Sequence, residues 1–187
     1  WGHWAAHAFA SFLVFWIGRH LANNGVGLLA GLLTAVSPGV ALFSNLLLAH
    51  HPTLVDLLVF VITFLKWRES ARAGRAAWGW ALLASMGLTY GMLCRPMTAG
   101  GLGLPFGVSF GWWLLSGRGD QTHGAQPVGL GMRARNAAAM CVPLIAGFAG
   151  LFWFNQAITG DGWVTPYQQY TDTYTPRHVY GFNNRVR

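Results

Sequence analysis

From Trp78 to Cys94 and again from Met97 to Leu115 the sequence carries no charged residue, and only Arg95 and Pro96 stand between the two runs. Apolar runs of this kind recur along the chain and constrain its fold more than any other feature. A helix needs about 17 to 25 apolar residues to cross the ~30 Å hydrocarbon core of a bilayer. In lipid every backbone N–H and C=O must be satisfied within the segment, so such runs fold as helices. Charged residues make up only 9% of this chain and hydrophobic residues 53%, against about 25% charged in a soluble domain. The repeated runs therefore predict an all-α, polytopic transmembrane helix bundle.

The first predicted span covers Trp1 to Gly18. A second, Asn24 to Val36, stops at Ser37-Pro38-Gly39, because proline lacks a backbone donor and clashes with the preceding turn. A short helix from Val40 to Ala49 then lies near the interface. Pro52 to Trp67 forms the next span, its proline tolerated in the first turn. Ala76 to Cys94 and Met97 to Leu115 make a tight hairpin around Arg95 and Pro96, and Asn136 to Ala157 is the last span. The expectation is thus about six spans with one interfacial helix, occupying residues 1–157. Residues 158–187 are polar, aromatic and rich in turn formers, which predicts an extracytoplasmic C-terminal loop or the start of a further region. The chain opens inside an apolar run without Met and stops at Arg187 with no closing element, so it reads as a piece of a longer protein.

The net charge of +7 and the pI near 10.3 invite a nucleic-acid reading. No basic cluster is interleaved with surface aromatics, however, so nucleic acid is not an expected partner and the charge reads as membrane topology. With the first span running inward, Arg19, Lys66, Arg68, Arg72, Arg75, Arg118, Arg133 and Arg135 fall on one side, eight of the twelve basic residues. Arg95, Arg177, Arg185 and Arg187 fall on the other. The side with eight is assigned to the cytoplasm. Abundant Ala, Gly and Trp point to a multi-pass protein of a bacterial inner membrane.

Cys94 and Cys141 sit in apolar segments without metal-binding or disulfide spacing and read as packed thiols. His3 and His7, four apart on the first span, face the same way. Haem binding there needs a further histidine on a facing helix at matching depth, whereas His20, His50 and His51 lie at helix ends. No cofactor is expected, and metal dependence is left open. Residues Gly101 to Gly107, "GLGLPFG", lack the strand-to-helix context of a phosphate loop, and their small side chains suit close helix packing.

The topology collects the unusual polar residues on the outer face: His50, His51 and Asp56 at the start of a span, Arg95 at the tip of a hairpin, and the C-terminal loop. Ionisable residues at membrane depth are costly and point to function. Arg95 either snorkels to lipid headgroups or, held by the turn at Pro96, binds an anion. His50 and His51 either cap and pack at the helix start or hydrogen-bond a phosphate or hydroxyl. Asp56 is either a buried hydrogen-bonded group or a partner for Arg95. In the loop, Tyr167, Tyr170, Tyr174, Arg177, His178 and Tyr180 combine aromatic faces with polar donors, which fits sugar or headgroup recognition and fits an interfacial aromatic belt equally well.

Three segments taken in order resemble a known family. These are "GLLAGLLTAVSPGVALFSNLLLAHHPTLVDLLVF", "GLTYGMLCRPMTAGGLGLPF" and "FWFNQAITGDGWVTPYQQY". The order is a helix ending at Ser-Pro, a short helix and a His-containing helix start, then an Arg-Pro turn between helices, then an Asn-containing segment leading into an outer loop. This arrangement resembles polytopic glycosyltransferases of the GT-C superfamily, the branch similar to dolichyl-phosphate-mannose protein mannosyltransferases and bacterial aminoarabinose transferases. The resemblance implies transfer of a sugar from a polyprenyl-phosphate carrier to a lipid, glycan or protein acceptor at the extracytoplasmic face. Under it, substrate contacts fall to Arg95, His50, His51, Asp56, Tyr167, Tyr170, Arg177 and His178. The family's catalytic acid lies in the first outer loop, upstream of Trp1, so the chain alone is expected to be inactive. The competing class is a transporter or channel subunit in which Arg95 and the two histidines line a solute path. A transporter calls for an internal repeat and mid-depth charge, and neither is evident.

Overall fold

The computed structural model describes residues 2–44, 49–117 and 128–174. Among them the chain forms α1 (Gly2–Leu21), α2 (Asn24–Val36), α3 (Pro38–Ser44), α4 (His50–Arg72), α5 (Trp78–Cys94), α6 (Pro96–Ser116), α7 (Leu130–Thr159) and α8 (Pro166–Tyr174), with no strand. The all-α expectation is met. Two compact units are present, Trp1–Ile145 and Ala146–Arg187, with the boundary inside α7.

The α1–α2 hairpin begins where Asn23 caps α2, its Oδ1 accepting the Val26 N–H at 3.0 Å. Glycines let the two backbones meet. A Cβ on Gly27 would lie 2.6 Å from the Phe15 carbonyl oxygen and 2.7 Å from the Arg19 nitrogen. Gly27→Ala is therefore expected to force the helices apart at a cost of about 1–3 kcal/mol, read as a lower melting temperature. In an isolated helix the same change favours folding by about 0.5–1 kcal/mol, so a stabilised variant would show that the approach is looser than this.

Contacts along the first unit set the helix directions. Gly18 meets Gly27, and Gly31 meets Ser11 and Phe15, so α2 runs antiparallel to α1. His7 near the start of α1 lies beside His51 at the start of α4, and His20 at the end of α1 approaches Glu69 near the end of α4, so these two are parallel. Gly87 lies against Asp56 and Phe60, and Gly91 against Leu57 and Ala99, which returns α5 along α4 and turns α6 back again. The starts of α1, α4 and α6 thus share one end with the termini of α2 and α5.

The core lies toward the opposite end. Trp67 and Phe64 on α4 pack with Phe106, Phe110 and Trp113 on α6, the ring centroids about Trp67 lying 4.8 to 5.1 Å apart. The Trp67 indole N–H donates to Asn136 Oδ1 at 2.9 Å, and Ser85 Oγ donates to the Met140 carbonyl at 2.6 Å, which seats the first part of α7 on α4 and α5. Arg133 donates to the Leu115 carbonyl, and Arg135 lies over the Trp78 ring.

Three expectations need amendment. Among the described residues only α7 is long and apolar enough to cross a membrane by length and composition, and α2 is apolar but shorter. The count of six spans does not meet that criterion. The other helices fall short because α4 ends in Lys66, Arg68, Glu69 and Arg72, α5 has 17 residues, α6 is rich in glycine, and α1 holds three histidines and an arginine. Second, the interfacial helix starts at Pro38 instead of Val40, since a proline fits the first helical turn, and residues 45–48 of its predicted range lie outside the described residues. Third, the predicted C-terminal loop contains α8. Thr165 Oγ1 accepts the Gln168 N–H at 3.1 Å and Pro166 opens the helix, so a Thr-Pro pair that resembles a turn signal is a capped helix start.

Candidate functional site

The polar residues of the first unit gather at the end shared by the starts of α1, α4 and α6. His51 is almost wholly buried, with its ring centroid 5.8 Å from that of His7. The His7 Nε2 lies 3.1 Å from the Ala35 carbonyl oxygen. A carbonyl only accepts, so Nε2 carries the proton and donates. Ser11 Oγ donates to the His7 carbonyl at 3.0 Å. Three helices are thereby tied together at this end by an imidazole pair. His50 is the first residue of α4 and half-buried, and Ala49 before it provides no side-chain cap.

One turn further along α4, Thr53 is buried, and its hydroxyl donates to the Ala49 carbonyl. Asp56 follows on the same helix, its backbone packed against Gly87 of α5. Its Oδ2 is enclosed with no hydrogen-bond partner among the described residues. A buried carboxylate oxygen without a donor carries a desolvation cost, so this position invites one from a bound hydroxyl or a water.

Arg95 follows Cys94 directly and is exposed. It caps α5 and α6 at once: its N–H donates to the Gly91 carbonyl at 2.8 Å, and its own carbonyl accepts from Ala99 at 3.0 Å. Pro96 at the first position of α6 restricts Arg95 to extended backbone, here φ −148° and ψ 84°. The backbone of this cation is held on both sides while its side chain is free of structural duty. Among the described residues Glu69 pairs with Lys66 at 3.0 Å and lies 3.3 Å from His20 Nε2, both at the far end. Asp56 and Arg95 do not form the pair that one reading of Asp56 anticipates.

The second unit has its own ordered loop. Asn155 Nδ2 donates to the Gly162 carbonyl at 3.1 Å, the Gly162 N–H donates to Gln156 Oε1 at 2.9 Å, and Thr159 Oγ1 donates to the Asp161 carbonyl at 2.7 Å. Gly160 ends α7 at φ +79°, a conformation that favours glycine. Trp163 packs on Phe148 and Phe152. On α8, Tyr167 and Tyr170 are exposed, and Tyr170 pairs with Tyr174 at 4.9 Å. Arg177, His178 and Tyr180 lie outside the described residues.

Of the predicted contacts, the structure brings His51 and Asp56 on α4 to the same end as Arg95. Sequence reasoning missed Thr53 and the partnership of His7 with His51. His7 and His51 are 44 positions apart, and no local pattern encodes which faces of two separate helices meet. Comparison of the chain with known protein families, curated proteins and solved structures finds no match to any of them.

Proposed function

We propose that the chain works in a multi-pass membrane glycosyltransferase that moves a sugar from a polyprenyl-phosphate carrier to an acceptor at the extracytoplasmic face. The observation that carries this reading is Arg95, an exposed guanidinium with no ion pair among the described residues, its backbone held in a two-sided helix cap at the end of the first unit that also holds His51, Thr53 and Asp56.

The chemistry follows from the leaving group. As the glycosidic C–O bond to the carrier breaks, negative charge grows on the lipid phosphate. A fixed cation that meets this charge lowers the barrier most where water is scarce. The planar guanidinium also matches two phosphate oxygens at once. The attacking hydroxyl has to lose a proton to a base. The resemblance to GT-C enzymes assigns that base to a carboxylate outside this sequence. Asp56 is left to accept a hydrogen bond from a substrate hydroxyl, with His50 and His51 on the same helix start. Tyr167 and Tyr170 offer aromatic faces suited to a sugar ring.

Sugar transfer from radiolabelled polyprenyl-phosphate sugars, measured in membranes carrying the full-length protein, tests the reading. The expected result is label moving from the carrier to an acceptor. Uptake of a labelled solute into sealed vesicles, with no carrier consumed, would instead favour the transporter class.

A further inference from the structure

We propose that the groove between α4 and α6 holds an anionic phospholipid of the cytoplasmic leaflet, its phosphate on Arg68 and a length of acyl chain along Phe64 and Phe106. This rests on the multi-pass reading above but not on sugar transfer. The groove encloses about 160 Å³ and is lined by Phe64, Leu65 and Arg68 of α4 and by Pro105, Phe106 and Ser109 of α6. That is room for part of a lipid tail.

The two helices run in the same direction, so Arg68 and Ser109 both stand at the end of the groove nearer the predicted cytoplasmic side, with the rings behind them. Phe64 and Phe106 meet edge to face at 5.0 Å and Phe64 is buried, so the apolar wall is firm. Pro105 has no N–H to offer the turn before it, and its ring adds to the apolar lining.

Charge selects the occupant. Arg68 is exposed, and Arg72, one turn on along the same helix, adds a second cation. The nearby acid, Glu69, is engaged by both His20 and Lys66. Among the described residues neither guanidinium is in an ion pair, and two such cations attract a phosphate whose charge is not cancelled by its own headgroup amine, which anionic lipids of the inner leaflet supply. A snorkelling arginine takes any headgroup, whereas a groove with a cation at one end also holds the tail and fixes one lipid.

Native mass spectrometry of the full-length protein, released from bilayers of phosphatidylglycerol and phosphatidylcholine in equal parts, reads the site directly. The expected result is one retained phosphatidylglycerol, about tenfold depleted in Arg68→Gln, the factor expected for a lost charged hydrogen bond, and depleted again in Ser109→Leu, which fills the groove. Equal retention of both lipids, or retention unchanged in Arg68→Gln, overturns the proposal. So does displacement by inorganic phosphate alone, which would assign Arg68 to a soluble anion. Alkaline carbonate washing of the same membranes separates the two readings. A protein that washes free refutes the multi-pass reading, and one that stays without lipid preference refutes the lipid site alone.

Discussion

Trp67→Ala is expected to lose about 3–5 kcal/mol of stability, the usual cost of emptying a buried aromatic site, and to be the most damaging single truncation in the first unit. Trp67 is 1% exposed and is ringed by Phe64, Phe110 and Trp113. Neighbours of that size cannot collapse into the space without leaving their rotamers, so a cavity remains. The second part of the loss is polar. Asn136 is also 1% exposed, and its side chain is satisfied at both ends, Oδ1 by the Trp67 indole and Nδ2 by donation to the Met132 carbonyl. Without the indole, Oδ1 is buried with no donor, which costs about 1–3 kcal/mol. Trp67→Phe shifts the balance between the two effects, since it keeps much of the ring volume and loses the N–H with the rest of the five-membered ring. In urea unfolding of the purified protein in mixed micelles, the phenylalanine variant is expected to fall between the wild type and alanine. Equal stability of the tryptophan and phenylalanine forms would mean that the bond to Asn136 contributes nothing, and a loss under 1 kcal/mol for alanine would mean that the site relaxes.

How far the fold was legible depends on whether the signal was local. The α5–α6 hairpin was legible because two uncharged runs flank Arg95-Pro96 and proline restricts the residue before it. The bounds of α2 were legible because Asn23 caps and Ser37-Pro38 stops. The length of α4 was not. It runs on from Trp67 to Arg72 through residues that look like a loop to a hydropathy reading, and the Lys66–Glu69 pair at 3.0 Å supports the last turns. That His51, Asp56 and Arg95 fall toward one end of the first unit follows from the order of the helices, since α5 returns along α4 to the turn at Arg95. Which helix faces meet there was not legible. α5 is apolar almost all round, so periodicity names no inward face, and the face it turns to α4 is set by how Gly87 and Gly91 approach Asp56, Leu57 and Phe60.

Removal of the Arg95 side chain is expected to reduce sugar transfer by about 10²- to 10³-fold while leaving the melting temperature where it was, and that contrast is what separates a phosphate-holding residue from a structural one. The stability half follows from the hydrogen bonds. Both bonds that close the α5–α6 turn use the Arg95 backbone, and they persist in Arg95→Ala. The side chain is exposed and enters no ion pair among the described residues, so its loss leaves no buried group unsatisfied. The transfer half follows from where charge develops. A cation that meets a leaving phosphate acts chiefly in the transition state, so kcat falls and the carrier KM moves little. Arg95→Lys keeps the charge and gives up the planar pair of donors, and its rate is expected between the two, about tenfold below the wild type. Assayed with the full-length protein in membranes, equal rates for arginine and lysine would reduce the requirement to a point charge. A normal rate for alanine would leave Arg95 as an anchor in the headgroup layer, and the proposed glycosyl transfer would lose the residue on which its chemistry rests.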